Sequence, residues 1–258
     1  MQSLAYTTGI ECGAMKRLAF TSWLLSACIC MPLLSTAQSQ PSDYAISVRQ
    51  LRIPPKALRA YDQGMERLAK KDAPGSLQHF QRAIAEYADY YEAYDRIGFA
   101  YLQLWRVPEA ERAFRKSIQL SGEQFAHPLL ALGAILDDLK KFGEAESVTR
   151  KGLELEPDSW RGHYYLALAL FGLNRLVEAE ESVRETLRLK SDFPQAYLLL
   201  ADVHSHEEDY LSLLSDLDEY LKLVPDSLAS AKVNALREFA QARMSGFRGN
   251  TPLAKPQP

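Results

Sequence analysis

Apolar and polar residues follow one another along most of the chain with the spacing of amphipathic helices, and the pattern recurs. The string Glu-Ala-Glu occurs at 109–111, 144–146 and 178–180, so its central alanines lie 35 and then 34 residues apart. With that alanine as a register mark, five segments align, and only Phe125 is left over. The segments are 57–90, 91–124, 126–159, 160–193 and 194–227. Recurrence at this period predicts a stack of similar structural units.

Small and large residues hold fixed positions within these segments. The eighth position is always small: Gly64, Gly98, Gly133, Ala167 and Ala201. The twentieth and twenty-seventh positions are mostly small, and the twenty-fourth and twenty-eighth are mostly large and apolar. Small residues let two helix axes approach closely, and large residues fill the space beside the contact. Each segment is therefore predicted to form two antiparallel helices.

This pattern resembles the tetratricopeptide repeat. The resemblance covers Ala57 to Ser227, 171 residues, and depends on the period together with the residues at positions 8, 20, 24 and 27. It implies an all-α, right-handed superhelical solenoid of five helix-turn-helix repeats. The fifth repeat departs from the pattern, because Leu213 and Tyr220 stand where small residues are expected. We expect looser packing there, or a different neighbour.

The solenoid is expected to span 57–245, with residues 228–245 as a capping helix. Leu228, Val233, Leu236 and Phe239 give that helix an apolar stripe, which would cover the core face of the last repeat. Ser159 and Asp192 are candidate helix N-caps. Residues 38–56 are interpreted as a linker, and residues 246–258, rich in proline and glycine, as a disordered tail.

The first 37 residues have the layout of a secretory signal peptide. Lys16-Arg17 precede a nearly uncharged apolar stretch, and Ser35-Thr36-Ala37 ends in the small-x-small pattern of a cleavage site. We expect translation to start at Met15, with residues 1–14 as a start-site extension, and cleavage after Ala37. The product would be periplasmic or secreted.

Two alternatives to cleavage after Ala37 stay open. Leu25-Ser26-Ala27-Cys28 resembles a bacterial lipobox, whose acylated Cys28 would tether the protein as an outer-membrane lipoprotein. The second alternative is an uncleaved membrane anchor, but Pro32 and the missing basic stop signal argue against it.

Composition and charge exclude several functional classes and several kinds of site. The chain has 258 residues, with 30 basic and 33 acidic side chains and a net charge of −3, so it lacks the basic footprint of a nucleic-acid binder. Its cysteines are Cys12, Cys28 and Cys30, all in the first thirty residues. The repeats therefore contain no disulfide, no cysteine-ligated metal and no cysteine nucleophile.

The resemblance also implies a ligand surface. First helices line the concave side of such a stack, and the family uses positions 2, 5, 9, 12 and 13. The groove residues implied are Tyr61, Met65 and Leu68; Asp95, Phe99, Leu102 and Gln103; Leu130, Ala134, Asp137 and Asp138; Arg161, Tyr164, Leu168 and Phe171; and Gln195, Leu198, Asp202 and His206.

This set is unusually apolar and aromatic for a surface, which is typical of an interaction site. We expect a non-enzymatic scaffold of the cell envelope that binds a protein or peptide segment, with Tyr61, Phe99, Tyr164 and Phe171 as anchors. Asp137 and Asp138 would favour a basic residue in the ligand. The linker or neighbouring helices could instead bury several of these side chains. The second hypothesis is an outer-membrane-tethered assembly factor, resembling barrel-assembly or pilotin lipoproteins in outline.

No motif predicts catalysis, a cofactor or a metal. His204 and His206 lie close to Glu207 and Glu208, but residues two apart on a helix point about 200° apart, so both imidazoles cannot easily share one ion. A metal pair on a helix needs ligands at positions i and i+4, as in the H-E-x-x-H motif. His163 is interpreted as a packed histidine, and the sequence carries no nucleophile elbow or phosphate-binding loop.

Overall fold

The computed structural model describes residues 52–225 and 230–249, which belong to one compact unit running from Ile46 to Pro258. The predicted signal peptide, Cys28, most of the predicted linker, Leu228 of the predicted cap and residues 250–258 of the predicted tail lie outside the described residues. Within the described residues, no helix is both long enough and apolar enough to cross a bilayer.

The described residues form eleven α-helices and turns. The first helices of the five pairs are α1 (Pro55–Ala69), α3 (Tyr91–Gln103), α5 (Ala126–Asp138), α7 (Trp160–Gly172) and α9 (Pro194–His206). The second helices are α2 (Ala73–Glu86), α4 (Val107–Ser121), α6 (Phe142–Leu155), α8 (Leu176–Leu189) and α10 (Tyr210–Leu223). The last is α11 (Ser230–Gly249). The all-α helix-turn-helix fold predicted from the repeat is confirmed.

Contact between position 8 and position 24 holds each pair together. A Cβ added at Gly64 would lie 2.5 Å from the ring of Phe80, and one added at Gly98 would lie 2.6 Å from the ring of Phe114. Phe80 and Phe114 are completely buried. The first two pairs therefore need glycine at position 8 because an aromatic ring occupies position 24. In the last two pairs alanine faces a smaller partner, valine or leucine.

The stack bends toward its first helices. α1 contacts α3, α5 contacts α7 and α7 contacts α9, whereas among the described helices no two second helices pack on each other comparably. Elements that contact their counterparts in the next repeat lie on the inner side of a curved stack. The first helices therefore form the inner face, where the sequence placed the groove.

The turn inside each pair has a fixed backbone conformation. Position 15 has a left-handed backbone in all five repeats, at Lys71, Trp105, Lys140, Asn174 and Glu208 (φ between 57° and 60°). The extra residue between the second and third repeats is absorbed where α4 runs one residue longer than its neighbours and ends on Gly122 in the left-handed region.

Of the two predicted N-caps, one is correct. The Ser159 hydroxyl accepts a hydrogen bond from the Gly162 N–H at 3.4 Å and caps α7. Asp192 does not cap α9, because Phe193 is its N-cap residue and the Asp192 carboxylate accepts from Lys190 Nζ at 2.7 Å.

The fifth repeat has a different neighbour. Leu213 and Tyr220 are buried in a cluster that includes Val233 and Ala240 of α11, so the larger residues fill space beside the added helix. Phe239, predicted for the apolar stripe, stays 46% exposed, with its ring edge-on to Tyr210 and 5.1 Å from the guanidinium of Arg243. The helix also continues to Gly249, so residues 246–249 are not the disordered start of a tail.

Candidate binding groove

The four predicted aromatic anchors lie on the inner face, half-buried against residues of the next first helix or against its N-cap residue. Tyr61 stacks on Tyr90 with ring centroids 5.1 Å apart, and Phe99 packs on His127 at 4.6 Å. A ring from each first helix therefore leans on the next pair and leaves part of its surface toward the inner face.

The same arrangement recurs in the C-terminal half. Tyr164 meets the ring of Phe193 edge-on at 4.9 Å, and Phe171 meets His206 edge-on at 5.1 Å. Neighbouring helices thus bury these anchors in part, as the second interpretation of the sequence expected, and each keeps an exposed portion.

Two predicted groove residues are not available to a ligand, and this corrects the sequence-based set. Asp95 is completely buried, and both its carboxylate oxygens lie within 2.9 Å of His127 Nδ1 on the next first helix. Leu130 is 6% exposed and lies against Gly152. Asp95 therefore joins two repeats, and Leu130 belongs to the core.

The other predicted apolar residues form the walls. Met65, Leu68, Leu102, Leu168 and Leu198 are half-buried and pack on the clusters of buried side chains between pairs. Gln103 and Arg161 are exposed, and the Arg161 guanidinium lies 4.3 Å from the ring centroid of Trp160.

Three carboxylates of this face lack a counterion among the described residues: Asp137, Asp138 and Asp202. Burial, followed by the charge of Asp138, raises the pKa of Asp137 from 3.8 to about 6. Asp138 and Asp202 are exposed, and partial desolvation still raises the pKa of each, for Asp202 despite the opposing effect of His206. Asp137 Oδ1 is buried with no hydrogen-bond partner. The ionised carboxylates are therefore poorly compensated by the protein itself.

The second helices carry the opposite arrangement. Arg115 Nη2 lies 2.9 Å from Glu111 and 2.6 Å from Glu144 of the next repeat, and Arg175 joins Glu178 to Glu146 in the same way. The predicted Glu180–Arg184 pair is also present. The Glu-Ala-Glu strings thus supply ion pairs within and between repeats, whereas the acids of the inner face stay unpaired.

Sequence reasoning missed the side chains that support the anchors. His127, Tyr90 and Phe193 lie at the starts of first helices or just before them, and their partners are a whole repeat away in sequence. The contact between Asp95 and His127 could have been predicted only by pairing position 5 of one repeat with position 2 of the next. His163, interpreted as a packed histidine, is half-buried, and its Nε2 lies 2.7 Å from the Pro157 carbonyl oxygen.

Comparison with known proteins agrees with this architecture. Residues 130–192, in the third and fourth repeats, match the tetratricopeptide repeat family model. A curated relative, human protein O-mannosyl-transferase TMTC1, is 25% identical over 148 residues, which cover 55% of this chain. The chain spans only 17% of that relative's length.

Solved structures share the fold at low identity. PilW, described as a widely conserved type IV pilus biogenesis factor, has a TM-score of 0.63 at 16% identity, covering 78% of this chain and 96% of PilW. YrrB, described as a TPR protein with an unusual peptide-binding site, has a TM-score of 0.59 at 17% identity, covering 69% of this chain and 92% of YrrB. At these identities the likeness concerns the tetratricopeptide repeat fold alone.

Proposed function

We propose that this chain is a non-enzymatic scaffold of the cell envelope, whose inner face binds a protein segment that carries both apolar and basic side chains. The unpaired carboxylates of Asp137, Asp138 and Asp202 beside half-buried aromatic rings carry this proposal. A lysine or arginine placed against Asp137 would compensate a charge that the protein leaves uncompensated.

An extended or helical segment fits this surface better than a small molecule. The aromatic side chains Tyr61, Phe99, Tyr164 and Phe171 come from three different first helices, so a ligand must be long to reach several of them. Aromatic anchors that keep an exposed portion supply contact area at low conformational cost. The apolar walls would contact the segment's aliphatic or aromatic residues, and the acidic side chains would select its basic ones.

A second candidate is an outer-membrane-tethered assembly factor, as a barrel-assembly or pilotin-like lipoprotein. The observation that favours it is the lipobox-like Leu25-Ser26-Ala27-Cys28. Intact-mass measurement of the chain isolated from its native envelope distinguishes the two. A start at Gln38 supports a periplasmic or secreted protein, and an acylated Cys28 supports the tethered one.

A peptide-selection experiment tests the binding proposal. A random library displayed on phage is selected on the purified chain, and the affinities of the selected peptides are measured by fluorescence anisotropy. We expect enrichment of lysine or arginine beside aromatic or aliphatic residues. Selection of acidic peptides, or of none, would overturn the proposal.

Paired variants then locate the binding. Asp137→Asn together with Asp138→Asn should weaken the affinity for a selected basic peptide at least about tenfold, because a close charge pair across an interface contributes about 1.5 kcal/mol or more. Asp158→Asn is the matched control, since its side chain is 90% exposed in the turn before α7. Equal effects of the double variant and the control would place the peptide elsewhere.

A further inference from the structure

Three side chains from neighbouring repeats converge at the C-terminal end of α9. Glu180 lies on α8, and His204 lies on the last turn of α9. Glu207 is the C-cap residue that directly follows α9. One potential ligand atom from each lies within 4.8 Å of the other two. Side-chain rotations of ordinary size would bring all three to a common ion.

His204 is held in the orientation that metal-binding histidines have. It is 5% exposed, and its Nδ1 lies 2.6 Å from Asp216 Oδ2 on α10. Nε2 lies on the side of Glu180, 3.3 Å from Oε1. Nδ1–H donates to the Asp216 carboxylate, and such carboxylates strengthen metal binding in known sites. The contact of Nε2 with the Glu180 carboxylate is a hydrogen bond only while Nε2 carries a proton. A metal ion would take the place of that proton, and Nε2 would then offer its lone pair as a ligand.

Both carboxylates keep oxygens free for an ion. The hydrogen bonds of Glu180 to Arg184 and His204 all involve Oε1, so Oε2 accepts none. The side chain of Glu207 is exposed and, among the described residues, makes neither a hydrogen bond nor an ion pair. Within the described part of the chain, the carboxylates of Glu180, Glu207 and Asp216 outnumber the nearby arginine, Arg184, and this excess of negative charge suits a divalent cation.

We propose that Glu180, His204 and Glu207 bind a divalent transition-metal ion, with zinc as the best match. One imidazole nitrogen and two carboxylate oxygens suit zinc, whereas magnesium and calcium favour oxygen ligands alone. The fourth position would hold water. Bound zinc would join α8 to α9 directly, and through Asp216 to α10, so it would clamp the fourth repeat to the fifth.

The helical geometry explains why the histidine pair itself is not the site. His204 and Glu207 are three residues apart and share one face of α9. His206 lies against Phe171, with its ring 5.1 Å away. His206 and the exposed Glu208 are therefore natural controls for His204 and Glu207.

Isothermal titration calorimetry with zinc chloride tests the site on the untagged, EDTA-treated chain. We expect one equivalent of zinc to bind in the micromolar range or tighter and to raise the melting temperature. Glu207→Gln should weaken binding at least tenfold, and His204→Gln should abolish it. His206→Gln and Glu208→Gln should each stay within twofold of the unmodified chain.

The variants also separate loss of binding from loss of fold. Glu207→Gln changes an exposed, unpaired side chain, so it tests the site even if His204→Gln unfolds the repeat, which circular dichroism reports. Absence of saturable binding at 100 µM zinc would overturn the proposal and leave His204 as a bridge between Asp216 and Glu180. Equal weakening by Glu207→Gln and Glu208→Gln, or loss of binding with His206→Gln, would also overturn it.

Discussion

At the scale of single residues, the fold depends on how position 8 matches position 24. Glycine faces phenylalanine in the first two repeats, and alanine faces valine or leucine in the last two. The sequence alone indicated that position 8 is small, and the structure explains why it is glycine in the two repeats where a phenylalanine faces it. The side chains at positions 8 and 24 share one space between the two helices of a pair, so their sizes must match.

Gly98→Ala should destabilise the protein, because the new Cβ would lie 2.6 Å from the buried ring of Phe114. Alanine gains about 1 kcal/mol in helix propensity, so we expect a net loss of about 1–2 kcal/mol. Urea unfolding measures it.

A double-mutant cycle with Phe114→Val supplies the control, since the double variant reproduces the Ala167/Val183 pair of the fourth repeat. Phe114→Val alone should cost about 2–4 kcal/mol, and adding Gly98→Ala to it should be stabilising. Simple additivity of the two changes would contradict this account.

Trp105 is strained where other repeats tolerate the same turn better. Its backbone is left-handed (φ 59°), which is unfavourable for a bulky side chain, and it is 70% exposed. Trp105→Asn copies Asn174 of the fourth repeat and should stabilise the protein by about 0.5–1 kcal/mol. Thermal unfolding measures the change, and a lower melting temperature would show that the indole makes a stabilising contact.

At the scale of elements, the helix register could be predicted from the sequence, but the partners of the helices could not. Four first helices begin at the residue where the sequence-derived repeat begins, because period and small residues are local signals. The burial of Asp95 under His127, and the packing of α11 on Leu213 and Tyr220, depend on contacts between distant segments. Single-position reasoning therefore assigned Asp95 to the groove.

Val233→Asp should loosen the fifth repeat selectively. Val233 is 5% exposed against α10, so an aspartate there would bury an unpaired charge. Repeats contact only their neighbours, so hydrogen exchange should accelerate in α9–α11 and stay unchanged in α1–α4. The exposed neighbour Asn234→Asp is the control, and faster exchange throughout the chain would indicate all-or-none unfolding instead.

At the scale of the whole molecule, the charge distribution distinguishes the two faces. Glu111, Glu146 and Glu180 on the second helices are paired with arginines, whereas Asp137 on the inner face has no counterion among the described residues. The composition showed only a net charge near zero. Which acids remain unpaired depends on the curvature that places first helices together, and no local pattern contains that information.

Asp137 should make stability fall as pH rises. Its folded pKa of about 6 lies above the ordinary 3.8, so the ionised form is disfavoured by folding. The cost is absent below pH 4 and complete above pH 6. Asp137→Asn should therefore stabilise by about 1–3 kcal/mol at pH 7.5 and hardly at all at pH 4, measured by urea unfolding. An equal gain at both pH values would exclude ionisation as the cause.

The central claim is that ligands bind on the inner face, and site-specific photo-crosslinking tests it most directly. A photoreactive amino acid replaces either Gln103, exposed at the end of α3 in the groove, or Gln119, exposed on α4. A selected basic peptide should crosslink from position 103 and not from position 119. Crosslinking from position 119 alone, or equally from both, would contradict binding in the groove.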